Sequence, residues 1–152
     1  MSADFLISEE AAQAQIDLFC DWYGIDLDET RAVVADTETP KAVDFVLRKL
    51  VKAFRQGLLE VQERSLDDGG QTLVLIQKFK IQPKGSSVTE IVYHEATGAS
   101  RANVKTAKNM SKTAEMYHGL AALSHENVKL FYNLRGADIG ITEAIGFLFL
   151  QI

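Results

Sequence analysis

The chain is poor in the residues that staple, break or anchor a fold. Cys20 is its only cysteine, so no internal disulfide can form, and a reducing compartment such as the cytoplasm fits. Its two prolines mark boundaries: Pro40 follows Thr39 at a helix start, and Pro83 opens the loop Pro83-Lys84-Gly85-Ser86. No run of 18 apolar residues exists, so no membrane span is expected. The opening MSADFLISEE has no basic stretch followed by an apolar core, so it does not read as a secretory signal. Metal and catalytic spacings are also missing. Asp26 and Asp28 resemble the start of a calcium loop, but Arg31 and Thr37 occupy the slots that need glycine and glutamate. His118 and His125 stand seven apart with no HxxxH or HExxH pattern, and adjacent His94 and Glu95 point to opposite faces of a strand. The expectation is a non-enzymatic protein with no metal and no cofactor.

What remains is an ordinary globular composition with an uneven charge. Of 152 residues, 47% are hydrophobic and 24% charged, enough to fill one domain's core. The net charge of −5 argues against a protein that coats nucleic acid. Residues 1–70 hold 7 Lys/Arg against 15 Asp/Glu (−8), and residues 71–152 hold 9 against 6 (+3). The chain therefore divides into an acidic helical region, 1–70, and a β-hairpin plus C-terminal helical region, 71–152, either as one compact unit or as two small subdomains.

The periodicities give an α+β fold, mostly helical: N-terminal helices, a central β-hairpin and C-terminal helices. Ser8 caps a first helix with Ala12, Ile16, Phe19 and Tyr23 on one side, closed by Gly24. Asp26 to Glu29 has the spacing of a capping box for a short helix. From Pro40, the residues Val43, Val46, Leu47, Leu50, Phe54, Leu58 and Val61 recur at three and four, which predicts one long helix ending near Arg64. Asp67-Asp68-Gly69-Gly70 is a turn. Thr72–Ile81 and Ser87–His94 alternate as the two strands of a hairpin. A lone hairpin is marginal in water, so it packs on helices or pairs edge to edge with a second copy. Thr97 is placed to cap a helix carrying Arg101. If that helix runs on, Arg101, Lys105, Lys108 and Lys112 form one basic stripe, a surface for phosphates or an acidic protein; Asn109-Met110-Ser111 interrupts the pattern. No aromatics interleave with it, so base stacking is not supported. Ser124 is expected to cap Glu126–Leu134, and Asp138 to cap a last helix, Ile139–Leu150. Phe147, Leu148, Phe149 and Leu150 lie in a nearly continuous apolar end that is either core or a partner-binding surface.

Several of these residues fall in an ordered set. Ile76-Gln77-Lys78 and Ile81 are followed by Val88-Thr89-Glu90-Ile91-Val92-Tyr93-His94-Glu95-Ala96-Thr97-Gly98, then Arg101. Leu120, Leu123-Ser124, Glu126, Val128, Leu130 or Leu134, Asp138 and Ala144-Ile145-Gly146-Phe147-Leu148 come later. In order and spacing, about half of the chain resembles the tail assembly chaperone family of tailed phages and prophages. His94 and Ala96 stand where that family has arginine and proline, and nothing in its pattern covers residues 1–70. The resemblance implies a protein of the bacterial cytoplasm that binds the long helical tape measure protein, or another tail component, and keeps it soluble during tail assembly. It also implies a longer frameshifted form in some phages. The competing expectation is a small nucleic-acid-binding regulator that uses the basic stripe.

Overall fold

The computed structural model describes residues 5–23, 40–94 and 110–150. Helix α1 (Glu9–Tyr23) starts as expected: Ser8 Oγ accepts from the Ala11 N–H at 3.1 Å, and Ala12, Ile16, Phe19 and Cys20 are buried. Helix α2 (Pro40–Arg55) begins at proline, where a missing N–H costs nothing.

The long helix expected to reach Arg64 stops at Arg55 instead. Gly57 takes φ +77, the left-handed conformation that ends helices, and the N–H of Leu58 folds back to the Ala53 carbonyl at 2.9 Å. The positive φ favours glycine there, and an added Cβ would also push on Leu6 Cδ1, 2.7 Å away. Beyond it, Leu59–Ser65 is a strand, β1, in which Leu59 is buried and Ser65 exposed. Leu58 and Val61 matched helical spacing, yet Leu58 sits in the turn after Gly57 and Val61 on β1; both are partly buried against the core, which is why both are apolar.

The expected hairpin is therefore part of a larger sheet. Strands β1, β2 (Gln71–Lys78) and β3 (Glu90–Tyr93) form an antiparallel sheet in that order. The turn Asp67–Gly70 joins β1 to β2 with Leu59 opposite Gln77 and Ser65 opposite Gln71. The division expected at residue 70 falls in this turn, and the core lies on both sides of it. One sheet face sends Leu59, Leu75, Ile91 and Tyr93 into the core, each aliphatic side chain contributing about 1.5–3 kcal/mol by leaving water. Val74 and Ile76 are buried on the opposite face, so β2, the central strand, is covered on both sides.

Three helices follow. Ser111 caps α3 (Lys112–Ser124), accepting from the Ala114 N–H at 3.1 Å. Ser124 is the last residue of α3 rather than a cap; Asn127 caps α4 (Val128–Tyr132), accepting from the Lys129 N–H at 2.9 Å. The single turn of α4 is shorter than the helix expected over Glu126–Leu134. Helix α5 (Ala137–Leu150) packs against α2 and α3. It comes so close to α3 that a Cβ on Gly146 would collide with Met116. Asp138 is inside α5 and does not cap it. It is fully buried, and its carboxylate accepts from the backbone N–H groups of Lys80 and Ile81 at 3.0 Å, pinning the β2–β3 connection to the helix.

A ring of polar side chains sits inside this core. The Tyr93 hydroxyl donates to Gln77 Oε1 at 2.7 Å, and Gln77 Nε2 donates to Thr142 Oγ1 at 2.9 Å. All three are buried, and they tie β2, β3 and α5 together. Burial holds the Tyr93 phenol un-ionised far above its ordinary range, against a smaller opposing pull from Thr142.

Candidate functional site

A groove runs between α1 and α2. Leu47 and Val51 form its apolar floor with Phe5 at one end. Glu9 and Gln13 line the α1 side, and Asp44, Arg48, Lys52 and Arg55 the α2 side. It is open to solvent, with a volume of about 420 Å³. The end at Phe5 is fixed: Arg55 Nε donates to the Ile7 carbonyl at 3.3 Å, its guanidinium lies 4.0 Å from the Phe5 ring centre, and the Leu6 N–H donates to the Arg55 carbonyl at 2.6 Å. Arg48, Lys52 and Arg55 repeat at four and three, so one face of α2 presents three cations along the groove. The opposite wall and the α2 N-terminal side carry the carboxylates of Glu9 and Asp44. An apolar floor between walls of mixed charge accepts the apolar face of an amphipathic helix, with polar pairs along its rims.

The residues expected to bind a partner are distributed differently. Arg101, Lys105 and Lys108 lie outside the described residues. Lys112 is exposed, but it is the first residue of α3, and Met110 and Ser111 before it are not helical. Lys112 therefore does not extend a helix from the preceding segment. Phe147 is half-buried and packs on the core, next to buried Ala144 and Ile145. As far as Phe147, the apolar end of the chain is core. The side chains of Leu148, Phe149 and Leu150 lie outside the described residues. The groove was legible as Arg48, Lys52 and Arg55 at helical spacing, but the reading of that stretch as a mere amphipathic helix hid it.

Two further groups bear on chemistry. Burial, reinforced by Asp17, pushes the Cys20 thiol up to about 12, so it stays protonated and inert. His94 directly follows β3 and stacks on His125, the left-handed C-cap of α3, with ring centres 4.6 Å apart and planes 10° from parallel. The His94 pKa is lowered by burial first, then by His125 and Arg64, both of which would face an imidazolium with like charge. The unfolded chain then binds more protons than the folded one at pH values below about 6.5, so stability falls as the pH drops from there toward the lowered folded pKa. Denaturant midpoints are expected to fall more between pH 7.5 and 5.5 for the parent than for His94→Gln. Equal falls would remove His94 as the cause.

Among the described residues, no three or more His, Cys, Asp or Glu side chains converge as metal ligands. No helix among them is long and apolar enough to cross a membrane. Comparison with known proteins finds no match, whether to a protein family, a curated protein or a solved structure.

Proposed function

We propose that the chain is a non-enzymatic assembly factor that holds an amphipathic helix of a partner protein, as the tail assembly chaperones resembled by residues 75–150 hold the tape measure protein. The observation that carries this reading is the α1–α2 groove, with Leu47, Val51 and Phe5 beneath a rim of Arg48, Lys52, Arg55, Glu9 and Asp44. A long helical client has a repeating apolar stripe flanked by charges, which is the shape and polarity this groove complements. The charged rim sets register and encounter rate, and the small apolar floor seats one or two apolar side chains of the client helix. The place of action is the bacterial cytoplasm, where tails assemble.

The test is co-expression with the genes encoded beside it, among which this reading requires a long helical protein, followed by affinity capture. The parent is expected to retain the helical protein. Arg48→Glu with Lys52→Glu is expected to lower the retained amount about tenfold, equivalent to about 1.4 kcal/mol. Both side chains are exposed, so the melting temperature should hold. Full retention by the double variant would remove the groove as the docking site, and a parent that captures no helical protein would remove the proposed function. Truncation at Phe147 is a poorer test, because that side chain belongs to the core and its loss unsettles the fold.

A further inference from the structure

The sheet has two outer edges, and its register shows which parts are closed. The Lys78 N–H donates to the Leu58 carbonyl at 2.8 Å and that of Leu66 to the Gly70 carbonyl at 2.7 Å. With Leu59 opposite Gln77, these bonds put the even-numbered β1 residues in hydrogen-bonded pairs with β2. Leu59, Val61, Glu63 and Ser65 therefore turn their backbone groups outward. The Val61 N–H is taken by Gln15 Oε1 of α1 at 3.1 Å. On the other edge, the outward N–H of His94 is taken by the Leu123 carbonyl at 2.9 Å. The second half of β1, at Glu63 and Ser65, is exposed, and among the described residues nothing takes its outward N–H groups.

This open edge lies beside an apolar stripe. Leu6 meets Gly57 and Gln15 meets Val61, so α1 and β1 run in the same direction side by side. Seven helical residues advance about 10 Å, roughly three residues of strand, which brings Trp22 level with the end of β1. Gln15, Leu18 and Trp22 are spaced three and four apart and share one face of α1. Leu18 is 53% exposed and Trp22 49%. An unpaired strand edge beside an exposed apolar helix stripe is the arrangement that captures a strand from another chain.

We propose that the Glu63–Ser65 edge and the Leu18–Trp22 stripe form a strand-addition site for an extended, cationic segment of a partner protein. The outward backbone groups alternate with polar spacing that only an extended chain can match. Every second side chain of that segment would lie on Leu18 and Trp22. Its charge follows from the surroundings: Glu63 is on the edge, Asp67 and Asp68 in the turn beyond it, and Asp21 beside Trp22, all exposed. Arg64, on the same strand, reaches to Gln62 Oε1 at 3.4 Å. A second copy paired antiparallel on this edge would set Glu63 against its own duplicate or, two residues further along, against Asp67, which like-charge repulsion disfavours.

Trp22 is the only tryptophan, so its fluorescence reports this site alone. The probe is a blocked decapeptide of alternating lysine and valine, with glutamate and valine as control. The lysine peptide is expected to shift Trp22 emission to the blue and to slow amide exchange at Glu63 and Ser65 about tenfold. Ser65→Pro deletes an outward N–H and leaves the β2 ladder intact, and Leu18→Lys puts a cation in the stripe. Each is expected to weaken binding about tenfold at an unchanged melting temperature. Three results overturn the proposal: no blue shift at millimolar peptide, equal response to the glutamate peptide, or binding that survives both variants. Protection of Glu63 and Ser65 without peptide, in a particle of twice the monomer mass, also overturns it and assigns the edge to a second copy.

Discussion

Gln77→Ala is expected to cost about 3–5 kcal/mol, a large share of the roughly 5–15 kcal/mol that holds a domain of this size folded. Two effects combine. The variant leaves a cavity beside the central strand, and it strips the Tyr93 hydroxyl and Thr142 of a shared partner in a site with no water access. Gln77→Leu separates the two: it nearly keeps the volume, so its cost of about 1–3 kcal/mol is the orphaned polar groups alone. Tyr93→Phe and Thr142→Val, made singly, each leave one end of Gln77 unpaired. Combining Tyr93→Phe and Thr142→Val with Gln77→Leu removes every polar group at once and is expected to recover much of the loss, since an apolar replacement of a complete network is nearly neutral where a broken one is not. Urea midpoints across the set give the coupling directly. If Gln77→Ala shifts stability by less than about 1 kcal/mol, the ring is not a structural tie.

The sequence shows the period of Gln71–Lys78 but not this ring, because Gln77 reads as the polar half of an alternating strand. Its burial depends on α5, more than sixty residues later, supplying Thr142. Patterns that rest on nearest neighbours were legible: Ser8 as a cap, Pro40 as a helix start, the Asp67–Gly70 turn, and alternation at Glu90–Tyr93. Failures arose where a local signal had two physical readings. Gly57 is the single residue that separates α2 from β1, and a glycine between two apolar-rich stretches is as compatible with a helix carried through as with a stop. Ser124 and Asp138 carry cap-type side chains, yet both are buried: Ser124 Oγ accepts from the Glu126 N–H, but α4 starts only at Val128, and Asp138 binds Lys80 and Ile81. The groove and the open strand edge are each built from two elements, α1 with α2 and α1 with β1. Neither surface is present in any one stretch of chain. The half with the recognisable motif order supplies two sheet strands and the α3–α5 packing, whereas both proposed docking surfaces lie mainly in residues 5–65, where that motif is silent.

Asp138→Ala is expected to cost about 3 kcal/mol. A charged acceptor with three short contacts to Lys80 and Ile81 is removed, and two backbone N–H groups are left facing a methyl group. The consequence is local before it is global. The connection between β2 and β3 is held at Asp138, at the Lys84 N–H bond to the Asn133 carbonyl, and where Ile81 Cδ1 meets Gly136, so cutting the first tie loosens the loop while the other two persist. Amide exchange at Lys80 and Ile81 should therefore rise by a larger factor than exchange at Leu75 within β2. Asp138→Asn keeps one acceptor oxygen in place and is expected to lose roughly half as much. A uniform rise at Lys80, Ile81 and Leu75 would show instead that α5 and the sheet open as one unit, with the carboxylate serving the whole interface rather than the loop.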